Sequence, residues 1–204
     1  MSVKTDLRVI KSRKAIKEAF LQLMEEKGYA NVTITDIASK AVINRKTFYM
    51  HYETKENLYN EITDELLEDI TPPIVSEGIH SLKGKEQRSA VTHLLLKIKE
   101  NKDVFEILIN DNTNQMFISK LKTRLINELF FRSHIDLKDK DTLFTFDLLS
   151  EAYFSIFKII IQWWVNMENV SPDYVIDMIL EFFSKKPLEL LGIDFDSNKK
   201  KPPL

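Results

Sequence analysis

The run Asn44-Arg45-Lys46-Thr47-Phe48-Tyr49-Met50-His51, with Lys55 close behind, gathers side chains suited to a polyanion. Arg45 and Lys46 can donate to guanine O6 and N7, and Thr47 can hydrogen-bond a base or touch a thymine methyl. Tyr49, His51 and Lys55 suit phosphate oxygens, and Lys55 falls in a first helical turn whose free N–H groups also favour an anion. Phe48 and Tyr52 have the spacing to face a core, which leaves the polar residues around them for the outside. Lys11 and Arg13 could reach a nucleic-acid backbone from a neighbouring helix, and a solvated face explains them equally well.

Such a set needs two short helices and a support. Arg8 to Lys27 reads as a helix, because Ile16, Ala19, Phe20 and Leu23 form one apolar stripe and Gly28 stands where a helix-ending glycine belongs. Thr33 with Asp36 is a capping-box-like start, Asp replacing the usual Glu or Gln, and Ile34, Ile37, Ala38 and Ala41 give a short helix its buried face. Val42-Ile43 breaks the pattern, and Asn44 is a good N-cap for a second short helix. Thr54 caps a longer one, with Leu58, Ile62 and Leu66 inward, which ends before Pro72-Pro73. A supporting helix and two short ones across a tight turn form the plan of a helix-turn-helix reader of double-stranded DNA.

Residues 8–59 resemble the DNA-binding domain of the TetR/AcrR family of bacterial transcription regulators. The carrying residues are Ala19-Phe20, Gly28-Tyr29, Val32-Thr33-Ile34-Thr35-Asp36-Ile37-Ala38, the stretch Ala41 to Tyr52, and Lys55-Glu56-Asn57-Leu58. The resemblance implies helix 2 at 34–41, a recognition helix at 45–51, and phosphate contacts from Thr35, Tyr49, His51 and Lys55. It also implies a dimer on a palindromic operator, acting as a repressor released by a small molecule. Val42 departs from the pattern: it stands where the turn usually holds glycine, and a β-branched residue is poorly suited to positive φ.

Beyond residue 72 the chain stays helical by pattern, with segments near 86–100, 103–110, 114–134 and 141–167. Ser171-Pro172-Asp173 starts a last helix that Pro187 ends. The resemblance makes 141–186 the pair of helices that meet their twins in a four-helix bundle. The apolar residues there exceed what one side of each helix needs, so Phe157, Ile161, Trp164, Met178 and Phe182 are expected at the dimer interface. An effector cavity among the central helices could be walled by Met116, Phe117, Phe130, Phe144 and Tyr153, since apolar ligands are held by aromatics and Met; ordinary core is the competing account of the same residues. The expected division is a reader over 1–57, an effector-binding and dimerisation domain over 58–190, and a frayed tail over 191–204.

Composition narrows the classes. Four glycines in 204 residues argue against sheet and for an all-α fold, and the absence of cysteine excludes disulfides, thiolate-bound zinc and thiol catalysis. Residues 1–57 carry eleven Lys/Arg against seven Asp/Glu, a balance of +4, while the remainder carries −6. A basic head on an acidic body suits a protein that meets a polyanion at one end. Tyr153 to Met167, the most apolar stretch, is interrupted by Ser155, Lys158, Gln162 and Asn166, so no membrane span is expected. The N-terminus lacks an apolar signal core, and a soluble, cytoplasmic protein is expected. His51, His80, His93 and His134 show no metal-ligand spacing, and Gly78 to Glu86 lacks the spacing and the Ser/Thr of a phosphate loop. No enzyme activity, metal or cofactor is expected. Regulation as an activator, or by a protein partner in place of a metabolite, is the alternative.

Overall fold

The computed structural model of the chain describes residues 3–71, 85–111, 115–130, 140–167 and 169–184. All regular structure among them is helical. Helix α1 (Val3–Lys27) begins earlier than the apolar stripe does, and buries Ile16, Ala19, Phe20, Leu23 and Met24. It ends at Gly28, whose φ of 74° lets its N–H reach the Met24 carbonyl at 2.8 Å. One 3₁₀ turn, Tyr29–Asn31, leads to α2 (Ile34–Lys40).

Local capping sets the next three starts. Thr33 Oγ1 accepts from the Asp36 N–H at 3.2 Å while Asp36 Oδ2 accepts from the Thr33 N–H at 2.9 Å, the reciprocal pair the sequence indicates. Asn44 Oδ1 accepts from the Thr47 N–H at 2.7 Å and opens α3 (Arg45–Tyr49). Thr54 and Asn57 repeat the reciprocal arrangement at α4 (Lys55–Ile70). Each cap is worth about 1 kcal/mol, a large sum for helices as short as α2 and α3, which cannot persist alone.

The body comprises α5 (Lys85–Glu100), α6 (Lys102–Asn110), α7 (Met116–Phe130), α8 (Lys140–Val165) and α9 (Pro172–Ser184). Their starts and ends lie within a few residues of the apolar pattern. Pro72-Pro73, the Gly78 to Gly84 stretch and the 191–204 tail lie outside the described residues.

Head and body share one core. α4 buries Leu58, Tyr59, Ile62, Leu66, Leu67 and Ile70, and these join Phe20, Phe48 and Tyr52 on one side to Leu95, Phe105, Phe117 and Trp164 on the other. Polar ties reinforce the joint. Lys120 on α7 donates to Asn60, Thr63 and Asp64 of α4, and Arg88 on α5 binds Asp173 and Asp177 of α9. Within α8, Phe146–Val165 is long and apolar enough to cross a membrane, with mean hydropathy 1.2. Its side with Ser150, Phe154, Phe157, Ile161 and Trp164 packs into the core, the arrangement of a half-buried helix in a folded body.

Candidate nucleic-acid interface

Ion pairing sorts the cations of the head. Arg13 binds Glu61, Lys17 lies 2.6 Å from both Glu61 and Glu65, Lys27 is 2.8 Å from Asp36, and Lys40 is 2.5 Å from Glu26. Lys14 lies 3.7 Å from Glu18. Arg8, Lys11, Arg45 and Lys46 are in no ion pair among the described residues. These four sit on two elements that meet, because Ser12 Oγ lies 2.7 Å from His51 Nε2 and so brings the early turns of α1 to the end of α3. Cations left without carboxylates keep their full charge for an outside anion.

The outward set follows from helix geometry. Phe48 is fully buried and Tyr52 nearly so, which fixes α3 and turns Arg45, Lys46 and Tyr49 to solvent. Thr35 is exposed in the first turn of α2. Thr47 is half-buried, and its hydroxyl lies 3.0 Å from Asn44 Oδ1. Thr35, Arg45, Lys46 and Tyr49 are thus exposed and Thr47 half-buried, on the two short helices α2 and α3, which pack against each other.

Val42 takes φ 55° and is 90% exposed. The turn is thus the left-handed one glycine would make, held by a residue for which it costs about 1–2 kcal/mol. The flanking helices over-determine it: the Val42 N–H reaches the Ser39 carbonyl at 3.2 Å and the Ile43 N–H reaches the Ala38 carbonyl at 3.0 Å. The turn between α2 and α3 keeps its left-handed shape at the cost of local strain.

Lys55 and His51 are placed differently from the other candidates. The Lys55 ammonium donates to the carbonyls of Tyr29 at 2.7 Å and Val32 at 2.8 Å, and lies 4.2 Å from the centre of the Tyr29 ring. Burial pushes its pKa down, against the pull of Asp111. In this arrangement Lys55 ties the 3₁₀ turn to the start of α4. Its acceptors are main-chain carbonyls distant in sequence, which leave no trace in residue types. His51 is half-buried, its pKa lowered by burial and then by Arg13.

Behind these residues is a network that the sequence reading missed. Glu61 accepts from Arg13, from Lys17 and from the Tyr52 hydroxyl at 2.9 Å, and the Arg13 guanidinium lies 5.4 Å from the Tyr52 ring centre. Burial alone would raise the Glu61 pKa, but the hydrogen bonds from Lys17, Arg13 and Tyr52 hold it below the usual range. Arg13, weighed as a DNA or solvent residue, is therefore a tie between α1 and α4.

The candidate pocket residues differ in their burial. Phe117 is buried edge-on against Phe105, Met116 is half-buried, Tyr153 packs edge-on against Phe182, and Phe144 is 68% exposed; the Phe130 side chain lies outside the described residues. An open cleft of about 970 Å³ lies instead between α1 and α6, lined by Glu18, Glu25, Glu26, Asp103 and Glu106 around Leu21 and Ile107. The expected interface residues divide by burial. Phe157, Ile161 and Trp164 are buried against their own chain, while Met178 and Phe182 are half-buried. Apolar spacing marked α8 as two-sided without telling which side the body would take. No group of His, Asp or Glu that could hold a metal occurs among the described residues.

Fold and site together define a helix-turn-helix head on an all-helical body. Residues 16–62 match the model of bacterial regulatory proteins of the tetR family. Over 90 residues the chain is 38% identical to the "Uncharacterized HTH-type transcriptional regulator YxbF" of Bacillus subtilis, covering 42% of this chain and 24% of that one. Over 82 residues it is 30% identical to the HTH-type transcriptional regulator BetI of Agrobacterium fabrum, covering 40% of each. A 62-residue match at 31% joins it to the "Probable acrEF/envCD operon repressor" of Escherichia coli, covering 30% of this chain and 28% of that one. The chain thus spans well under half the length of the curated relatives it matches. The fold is that of a TetR transcriptional regulator from Streptococcus agalactiae, with TM-score 0.61 and 22% identity over 88% of this chain and 99% of that one. Residues 16–62 are thus similar to the DNA-binding part of tetR-family regulatory proteins, and the curated relatives that match this end of the chain are described as transcriptional regulators or as an operon repressor.

Proposed function

We propose that this chain is a dimeric, sequence-specific DNA-binding regulator in the cytoplasm, a repressor released by a small apolar or aromatic effector. The carrying observation is that Arg8, Lys11, Arg45 and Lys46 have no ion pair among the described residues, while the Ser12–His51 contact ties α1 to the segment just after α3. Arg45, Lys46 and Thr47 read base edges; Thr35 and Tyr49 hold phosphates, with His51 at the rim. Lys55 acts from behind, by fixing the turn that precedes α2. Residues 1–57 form the reader, and 58–190 the effector-binding and dimerisation part.

The mechanism is a population shift. DNA favours one separation of the two recognition helices, about 34–36 Å for successive major-groove turns, and the effector favours another. The two affinities are then reciprocally coupled. α4 supports this reading because its buried residues belong to the core of both parts, so it cannot tilt without moving the head. The repressor sense draws on the name of the Escherichia coli relative.

Fluorescence anisotropy tests the proposal: the purified chain against its own upstream DNA and a scrambled duplex, across several salt concentrations. Preference of about 10³-fold or more with a steep salt slope is expected. Equal, weak binding to both duplexes overturns specific reading at that site.

A further inference from the structure

Helix α3 is too short to set its own direction. Its five residues, Arg45–Tyr49, make little more than one turn, so its outward side chains keep a register only if both ends are held from outside. The Asn44 cap and the turn at Val42 hold the first end. The second end runs from the fully buried Phe48 to Tyr52, which is 4% exposed. Tyr52 packs on the Phe48 ring at 5.8 Å and donates its N–H to the Phe48 carbonyl at 2.9 Å. Whatever holds Tyr52 therefore holds α3.

The Tyr52 hydroxyl is held by one carboxylate on α4. Glu61 Oε1 accepts from that hydroxyl at 2.9 Å and lies 2.6 Å from Lys17 Nζ, while Oε2 binds the Arg13 guanidinium. Three elements thus meet at a side chain only 24% exposed: α4, α1 through Arg13 and Lys17, and the segment after α3 through Tyr52. Charge-assisted bonds of this kind are the directional ones.

Charge alone argues against a carboxylate here. In a head that meets a polyanion it opposes binding twice, by its own sign and by occupying two cations. Arg13 also follows directly on Ser12, whose hydroxyl meets His51 at the end of the reader. Geometry supplies the compensating gain. α3 is about 7.5 Å long, so a slip of about 1 Å at Tyr52 turns it by about 8° and moves the tips of Arg45 and Lys46 by about 1 Å. A specific site tolerates about 0.5 Å. Attraction to the phosphates of any duplex is far less sensitive to aim.

We propose that Glu61 is a positioning residue for sequence reading: it fixes the aim of α3 by gripping the Tyr52 hydroxyl while Arg13 and Lys17 anchor it to α1. The proposal rests on the DNA-binding reading above and adds to it a residue that touches no DNA.

Anisotropy titrations against the upstream duplex and a scrambled duplex of equal length test it, on the wild type, Tyr52→Phe, Glu61→Ala and the double variant, with a thermal melt of each. Tyr52→Phe removes a hydroxyl and no charge. Its binding to the scrambled duplex should stay within about twofold of wild type, while binding to the upstream duplex weakens about tenfold, the worth of a misplaced base contact. Glu61→Ala removes a negative charge and frees two cations. It should bind the scrambled duplex about two- to fivefold tighter and still lose at least as much preference as Tyr52→Phe. The double variant should lose no more preference than Glu61→Ala, because both changes break the same bond. Variants that melt cooperatively and keep the wild-type preference overturn the proposal, whatever their melting temperatures, since a merely structural tie moves only the melt. Glu61→Ala tightening on both duplexes alike overturns it too, because charge alone is then at work. If Glu61→Ala does not fold, Tyr52→Phe decides. A wild-type chain that prefers neither duplex defeats the sequence reading itself and takes this proposal with it.

Discussion

Ser12 Oγ lies 2.7 Å from His51 Nε2, tying the supporting helix α1 to a residue two positions beyond α3. The bond crosses from one element of the reader to another at the edge of the candidate DNA face. It holds a titratable ring whose pKa is depressed by burial and by Arg13.

The sign of its effect on stability follows from linkage. Because the folded-state pKa lies below the unfolded one, the unfolded chain binds the proton more readily. The contribution of the neutral ring is complete above about pH 6.5 and is lost as pH falls from there toward the folded value. Urea unfolding at pH 7.5 and 5.5 should show a smaller acid-side loss for His51→Gln than for the wild type. Identical losses in the two proteins would remove His51 from the acid response.

Lys46 and Lys55 should separate cleanly in one experiment. Lys46 has no carboxylate partner among the described residues, so Lys46→Ala should weaken binding and alter sequence preference. Lys55 is spent on the Tyr29 and Val32 carbonyls, so Lys55→Ala should cost about 1–3 kcal/mol of stability while leaving the salt slope of DNA binding near that of the wild type. A salt slope shallower by about one unit in Lys55→Ala, with the melting temperature unmoved, would return it to the phosphates.

Val42→Gly removes a left-handed conformation that costs a β-branched residue about 1–2 kcal/mol, and adds back roughly 0.5–1 kcal/mol of unfolded-chain entropy. With φ at 55° and the side chain almost wholly in solvent, no packing is lost. The melting temperature should rise by about 1–4 °C. A fall would show that the valine side chain contributes something that the turn geometry does not reveal.

What could be read in the sequence was local. Thr33 with Asp36, Asn44, Thr54 and Ser171 are caps whose side-chain oxygens accept from an N–H three residues on, and each opens the helix it was expected to open. The contacts of Lys55, Arg13 and Glu61 join segments far apart in the chain, and both Lys55 acceptors are main-chain atoms common to every residue. α8 shows the same limit from another side. Its spacing gives two apolar faces, but only the packed body decides that Trp164 goes inward and Trp163 outward.

Tyr59 offers the sharpest test of how head and body are joined. Its hydroxyl accepts the Phe117 N–H at 3.1 Å, and its ring stands edge-on to Tyr29 at 5.0 Å, beside the Lys55 ammonium. One fully buried side chain on α4 therefore touches the first turn of α7 and the turn that leads into α2. The Phe117 amide is among those a helix start leaves without an internal partner, and burial denies it water. Tyr59→Phe keeps the ring contacts and removes only the acceptor, so it should cost about 1–3 kcal/mol of stability. Amide hydrogen exchange should then speed up at the start of α7 first, with the Tyr29–Asn31 turn keeping its protection. If the loss instead appears at both ends together, the hydroxyl and the ring act as one unit, and head and body open in a single step.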